Sequence, residues 1–143
     1  MYKKVTGYLI LIFVTIIGLF YGCSNNPLGV VLVKGTVKVD GKNVDGISVT
    51  FIPIDVNERS VTGLTTADGS FVLTTAGAKF GTGAVPGKYH VAFSKVEFET
   101  VNETVVEKFL IPSKYSNPTE SKIEPVEVEN GKSNVFNFDL TTN

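Results

Sequence analysis

The chain has 143 residues, of which 43% are hydrophobic and 19% are charged, with 14 Gly, 6 Pro and no Trp. This composition excludes collagen, a coiled coil and an intrinsically disordered chain. The formal net charge of −1 argues against a nucleic-acid partner. A single His and a single Cys exclude an intrachain disulfide, most zinc sites and most Cys–His or two-His catalytic sets within one chain.

The N-terminal segment has the pattern of a secretory signal. Lys3 and Lys4 precede Val5–Gly22, a run of 18 residues without a charge, and the only cysteine, Cys23, follows directly. The run is also long enough to be a transmembrane helix, which leaves an uncleaved anchor as the alternative. Removal of the first 22 residues leaves 121 residues, which is enough for one domain. It also removes Lys3 and Lys4, so that 11 basic residues remain against 14 acidic ones and the net charge becomes −3.

The residues Leu19-Phe-Tyr-Gly-Cys23 resemble the lipobox of bacterial lipoproteins, in which a small residue precedes an acylated cysteine. The sequence departs from the usual lipobox at Phe20 and Tyr21. The resemblance implies a diacylglyceryl thioether on Cys23 and cleavage between Gly22 and Cys23. It divides the chain into a signal peptide (1–22), a lipidated tether (23–30) and a folded domain (31–143), with a location at the cell envelope facing the periplasm or the exterior.

The rest of the chain alternates apolar and polar residues in short runs that are separated by turn residues, a pattern typical of an all-β sandwich or barrel. Seven strands are predicted from these runs. In chain order they are marked by Val31, Val33, Val37 and Val39; by Ile47, Val49 and Phe51; by the run Val61 to Thr66; by Phe71, Leu73 and Thr75; by Tyr89, Val91 and Phe93; by Val126 and Val128; and by Phe136, Phe138 and Leu140. Because each strand has one apolar face, seven strands require two stacked sheets.

The connections are predicted from their turn residues. Asp40-Gly-Lys-Asn is expected to form a tight turn, and Ala67-Asp-Gly69 and Asn130-Gly131 are expected to form hairpins. Ala76–Val85 is read as a loop, and Ile111-Pro-Ser-Lys-Tyr-Ser-Asn-Pro118 as an extended connection. Val96–Glu107 alternates only in part, so we interpret it as a surface excursion and leave open whether it contains a strand.

The order and spacing of five motifs carry a second resemblance. They are Val33-Lys-Gly-Thr-Val, Asp40-Gly-Lys-Asn-Val-Asp-Gly, Val49-Thr-Phe-Ile-Pro53, Thr66-Ala-Asp-Gly-Ser-Phe71 and Val85-Pro-Gly-Lys-Tyr89. Together they resemble the carboxypeptidase regulatory-like, transthyretin-like domain, and Leu110-Ile-Pro-Ser-Lys-Tyr115 with the closing strand is similar to the form found in small planctomycete-type lipoproteins. The resemblance spans Leu32 to Leu140. It implies a seven-stranded Greek-key β-sandwich that is secreted and accessory, with no shared catalytic activity.

No residue pattern in the sequence assembles a catalytic or metal site. His90 alternates with inward residues and is therefore expected to be exposed, and no Ser-His-Asp arrangement can be read from the spacing. The acids Asp55, Glu58, Glu97, Glu99, Glu103 and Glu107 could supply oxygens to Ca²⁺ but form no calcium-binding loop motif, so a solvated acidic surface is the favoured interpretation. We therefore predict no enzyme activity, no cofactor and no metal.

Two further features of the sequence bear on function. An isopeptide between Lys34 or Lys38 and Asn134 or Asn137 is disfavoured, because no acid stands where related collagen-adhesin modules have one and because the lysines alternate outward. Phe80, Phe98 and Tyr115 are candidate glycan-stacking aromatics, although each is expected to cap the core instead.

The sequence thus indicates a non-catalytic, lipid-anchored cell-envelope β-sandwich with a structural, adhesion or partner-binding role. Its partners would be the membrane and an unidentified envelope protein or glycan. The alternative is a carbohydrate- or peptide-binding module that assists an envelope enzyme.

Overall fold

A computed structural model of the chain describes residues 29–75, 82–101 and 103–142, and about half of them are in β-strands. The strands are β1 (Val33–Val39), β2 (Lys42–Asn43), β3 (Ser48–Pro53), β4 (Val61–Leu64), β5 (Ser70–Val72), β6 (Gly87–Ser94), β7 (Val96–Val101), β8 (Thr104–Phe109), β9 (Val126–Val128) and β10 (Asn134–Leu140). A 3₁₀ turn (Ser113–Ser116) and a four-residue helix α1 (Pro118–Ser121) lie between β8 and β9. The predicted signal segment 1–22 and most of the tether lie outside the described residues.

The strands form two four-stranded sheets and one separate hairpin. In sheet I, β1 pairs in parallel with β10, and β2 and β5 pair antiparallel with β1. Sheet II has the order β4-β3-β6-β9 and is antiparallel throughout. The chain changes sheets between β1 and β3, between β4 and β5, between β5 and β6, and between β9 and β10. The third sheet contains only β7 and β8.

The inward faces of sheets I and II bury the alternating apolar residues that the sequence indicates. Fully buried side chains come from both sheets: Val33, Val37, Ile47, Val49, Phe51, Phe71, Leu73, Tyr89, Val91, Phe93, Val128 and Leu140. The Phe51 ring is central, with centroid distances of 6.5 Å to Phe71, 5.9 Å to Tyr89 and 5.6 Å to Phe136. These aromatic contacts fill a core that has no Trp.

The all-β sandwich is confirmed, and each of the seven predicted strands is present, as β1, β3, β4, β5, β6, β9 and β10. The described part of the chain adds a two-residue strand, β2, and the β7–β8 hairpin, so Val96–Glu107 contributes to two strands. The Asp40 turn forms as expected, with Asp40 and Gly41 both at positive φ between β1 and β2.

The prediction of a hairpin at Asn130-Gly131 is wrong. A turn forms there, but β9 pairs with β6 in sheet II whereas β10 pairs with β1 in sheet I. The Asn134 side chain closes this sheet-to-sheet connection: it accepts from the Glu129 N–H and donates to the Glu129 carbonyl. The turn dipeptide fixes a local reversal, while the sheet that each strand joins depends on contacts distant in sequence.

The Asp68-Gly69 turn is present, and its two flanking segments meet through a Thr62–Thr74 bridge. Apart from this bridge, β4 pairs with β3 in sheet II and β5 pairs with β1 in sheet I, so the hairpin predicted at Ala67-Asp-Gly69 forms only in part and does not join two strands of one sheet. This connection therefore links the two sheets at one edge of the sandwich.

The prediction of an extended connection over Ile111–Pro118 is also wrong. The Asn117 side chain accepts from the Thr119 N–H and Pro118 occupies the first turn of α1, a combination that starts a helix. Tyr115, in the 3₁₀ turn, is 6% exposed, and its hydroxyl accepts from the Thr141 N–H just after β10. The segment thereby adds Ile111 and Tyr115 to the core.

Candidate functional site

The residues of the predicted lipidation site, Gly22 and Cys23, lie outside the described residues, as do 76–81, which contain Phe80. Among the described residues, no helix has the length and hydrophobicity needed to cross a membrane.

His90 is half-buried in β6 and lies opposite Ile52 of β3, so its expected exposure is wrong. The outward face of β6 is partly covered, because the 3₁₀ turn and α1 pack against this strand and Ala92 on the same face is only 6% exposed. Alternation alone could not reveal this cover, since the covering segment was expected to be extended.

The acidic residues form no metal-binding group in the described part of the chain. Asp55 closes a local turn by accepting from the backbone and side-chain N–H groups of Asn57. Glu97 and Glu103 are exposed, and the side chains of Glu99 and Glu107 lie outside the described ones.

The candidate isopeptide residues do not face one another. Lys34 lies opposite Val135 and Lys38 opposite Asp139, while Asn134 is engaged by the Glu129 backbone. Asn137 accepts a hydrogen bond from the Thr36 hydroxyl at 2.8 Å. The arrangement is that of an ordinary parallel ladder with a polar outer face.

The aromatic candidates separate into a buried and an exposed residue. Tyr115 caps the core, as expected. Phe98, in contrast, is 70% exposed, so the expectation that it packs on the core is wrong. The reason is the separate hairpin. Among the described strands, β7 pairs with β8 alone, and the ribbon leaves the sandwich at Lys95, whose carbonyl accepts from the Leu110 N–H.

The β7–β8 hairpin concentrates exposed apolar side chains. Phe98 and Val105 are 70% and 64% exposed, and Phe109 and Val106 are 48% and 39% exposed. Val96 pairs with Phe109 and Thr100 with Val105, which by strand alternation places Phe98, Val105 and Phe109 on one face of the ribbon. Residues 96–109 also contain four glutamates and one lysine. The hairpin is therefore an apolar ribbon with a net charge of −3.

A second surface feature is a shallow groove on the outer face of sheet I. Its cavity of about 310 Å³ is lined by Lys34, Gly35, Thr36, Ser70, Phe71, Val72, Val135 and Asn137. Val72 and Val135 flank Lys34 on neighbouring strands and are 42% and 45% exposed. A second cavity continues the groove past Thr36 and Asn137 to Lys38 and Asp139.

The polar groups of the interior are internally satisfied. The buried hydroxyl of Thr65 accepts from the Ile47 N–H and donates to the Val44 carbonyl, and Tyr89 donates to the Val85 carbonyl. In the described ranges, no buried side-chain nitrogen or oxygen lacks a hydrogen-bond partner. The interior of this part thus offers no unpaired polar side-chain atom to a ligand, and the two candidate sites, the hairpin and the groove, are on the surface.

No protein-family model matches the chain, and no curated protein matches it. Solved structures that are similar to it include a 9R-lipoxygenase from Cyanothece PCC8801, with 10% identity and a TM-score of 0.38 over 79% of this chain and 16% of that one. They also include a candidate adhesin from Bacteroides ovatus ATCC 8483, with 18% identity and a TM-score of 0.44 over 87% of this chain and 49% of that one. This chain spans about half the length of the adhesin and a small part of the lipoxygenase.

Proposed function

We propose that this chain is a non-catalytic, lipid-anchored β-sandwich protein of the cell envelope that binds a protein partner through its β7–β8 hairpin. The observation that carries the proposal is the exposure of Phe98, Val105 and Phe109 on one ribbon, while Phe51, Phe71 and Phe93 are buried in the core. Contiguous exposed apolar side chains mark interaction surfaces.

The anchor in this proposal is Cys23, and the domain family is the carboxypeptidase regulatory-like one that the sequence motifs resemble. Each acyl CH₂ buried in a membrane contributes about 0.8 kcal/mol, so two or more chains on one cysteine hold a domain firmly. The polar residues Ser24-Asn-Asn-Pro27 then serve as a short tether between the membrane and β1.

The hairpin is suited to partner binding because, within the described part of the chain, no third strand pairs with either of its long edges. A two-stranded ribbon leaves outward N–H and C=O groups along each strand, and such edges accept an added strand or an apolar surface. Its base is fixed, since Lys95 bonds to Leu110 through the backbone and donates from Nζ to the Asp45 carbonyl. A fixed base orients the ribbon at low entropic cost.

The glycan-binding alternative has weaker support from the structure. Glycan sites use exposed aromatic rings. Of the three aromatic candidates, Phe80 lies outside the described residues, Tyr115 is buried, and Phe98 is exposed. It lies on a ribbon rich in glutamate rather than in a polar pocket. A protein partner fits these observations better.

The proposal is tested by photo-cross-linking in intact envelopes. A photoreactive residue replaces Phe98 in the full chain, and a matched control carries it at Leu64, which is 64% exposed on β4. We expect discrete cross-linked products from position 98 and only diffuse background from position 64. Equal products at the two positions, or none at 98, would show that the hairpin is not a binding site.

A further inference from the structure

The partner of the hairpin can be specified from the surface of the same molecule. We propose that the β7–β8 hairpin of one copy docks into the groove on the outer face of sheet I of a second copy. This inference rests on the proposed function, since it requires the hairpin to be a binding site. It names the occupant of the groove as well as the partner of the hairpin.

Apolar complementarity is the first argument. The groove between Val72 and Val135 has a floor that includes Phe71 and the backbone of Gly35. Its volume of about 310 Å³ accommodates a phenylalanine side chain. Phe98 is the most exposed ring on the described surface of the hairpin, and packing it against the half-exposed Val72 and Val135 removes apolar area from water on both partners.

Charge complementarity is the second argument. Lys34 lies between Val72 and Val135 in the register of sheet I, and Lys38 follows on the same face of β1, where both lysines are exposed. The hairpin carries a net charge of −3, and Glu107 is the cross-strand partner of Phe98 in the β7–β8 register. A docked Phe98 therefore brings an acidic ribbon against the two lysines. Such complementary charges orient the encounter and fix its register.

The geometry determines the type of assembly. The hairpin and the groove are different surfaces of one chain, so the contact is heterologous, and each added copy leaves one free hairpin and one free groove. Association of this kind does not stop at a dimer unless a ring closes. We therefore expect a concentration-dependent series of oligomers rather than a single dimer.

The decisive experiment uses the purified full chain in detergent micelles, with the photoreactive residue at position 98. Equal amounts of isotopically light and heavy protein are mixed, and the cross-linked peptides are mapped by mass spectrometry. The inference expects light–heavy cross-links to residues 70–72 and 134–137. The position 64 probe serves as the control and should give no cross-links to these segments.

Charge reversal distinguishes specific docking from nonspecific association. Lys34→Glu with Lys38→Glu should reduce the light–heavy cross-links at least several-fold, and adding Glu107→Lys, at the cross-strand partner of Phe98, should restore part of the loss. The exposed Lys88→Glu is the matched control and should leave the yield unchanged. Cross-links that persist undiminished in the double variant would overturn the inference.

The two proposals fail in distinguishable ways. A position 98 probe that captures another envelope protein or a glycan in cells, and gives no light–heavy product from the purified chain, overturns self-docking and leaves the hairpin as a binding site. A probe that gives no specific product in either setting overturns both.

Discussion

Phe93 shows how a single core residue supports the sandwich. Its side chain is 1% exposed and its ring lies 4.9 Å from that of Phe138 across the two sheets. Phe93→Ala should cost about 3–5 kcal/mol of unfolding free energy, from lost transfer energy and a residual cavity. Denaturant unfolding measures this directly. The exposed Lys88→Ala on the same strand should change stability by less than about 0.5 kcal/mol, and an equal loss in both variants would contradict the burial pattern.

Asp68 provides the clearest pH dependence at the residue scale. Its carboxylate accepts hydrogen bonds from the Thr66 hydroxyl and from the hydroxyl and N–H of Ser70, and these bonds lower its pKa from 3.8 to about 2. Because the pKa is lower in the folded state, the stabilisation is complete above pH 3.8 and is lost as the pH falls towards 2.

The measurement is the denaturant midpoint of the wild type and of Asp68→Asn across this acidic range. Between pH 3.8 and pH 2, the denaturant midpoint should fall less in Asp68→Asn than in the wild type. Asp40, whose pKa is lowered by its bonds to the Thr142 hydroxyl and N–H, titrates in both proteins and serves as an internal reference. Identical pH profiles would contradict the assignment of Asp68.

At the scale of the strand, Gly35 allows β1 to lie close to β10. A Cβ atom added at Gly35 would overlap the Phe136 carbonyl oxygen and crowd the Phe71 ring. Because the obstacle is backbone, it cannot rotate away as a side chain would. Gly35→Ala should therefore destabilise the fold by about 1–3 kcal/mol, in the range of overpacked cores.

Thermal unfolding of Gly35→Ala beside Thr36→Ala tests this close approach. Thr36 is the next residue in β1 and points to the outer face, so its truncation removes only a hydroxyl bond to Asn137. A melting temperature that falls no further for Gly35→Ala than for Thr36→Ala would show that β1 and β10 are not packed as described.

The strands could be predicted from the sequence because a period of two follows directly from burial of one face. The same reasoning identified Val33, Phe51 and Phe93 as core residues. Alternation of apolar and polar residues does not determine which sheet a strand joins. The hairpin predicted at Asn130-Gly131 is wrong for this reason, because β9 and β10 join different sheets. The expectation that Phe98 caps the core is also wrong, because exposure of a ribbon depends on which strands pair with it and not on local alternation.

Signals for the missed helical segment were nevertheless present. Asn117-Pro118 combines a capping side chain with a proline in the first turn, and Ser113 and Ser116 lie in the 3₁₀ turn just before it. These residues indicate that a helical turn begins near Pro118, but they do not indicate that it packs against β6. The half-buried position of His90 follows from that packing.

At the scale of the whole molecule, the proposed attachment to the membrane is through Cys23. If the lipobox is processed, Cys23→Ser should abolish both fatty-acid incorporation and the conversion of precursor to mature mass. Metabolic labelling with a fatty-acid analogue measures the first, and intact-mass spectrometry the second. Labelling that persists in Cys23→Ser would contradict the lipoprotein assignment, and a cleaved but unlabelled wild type would indicate a plain secretory signal.

We expect the fold to require strand β10 but not the β7–β8 hairpin. Strand β10 completes sheet I by pairing along the whole of β1, and the interacting residues Thr36 and Asn137 are 101 positions apart in sequence. Ending the chain at Ser133 removes this strand with Leu140, Phe136 and Phe138, and should leave no cooperative unfolding transition.

Replacing residues 96–109 with an Asn-Gly turn should instead preserve the fold, because the described β7 and β8 pair only with each other and Lys95 already bonds to Leu110 across the base. Circular dichroism melts of the two deletions give the comparison. A hairpin deletion that unfolds as completely as the β10 truncation would mean that the ribbon belongs to the structural core, and its exposed residues would then need an explanation other than binding.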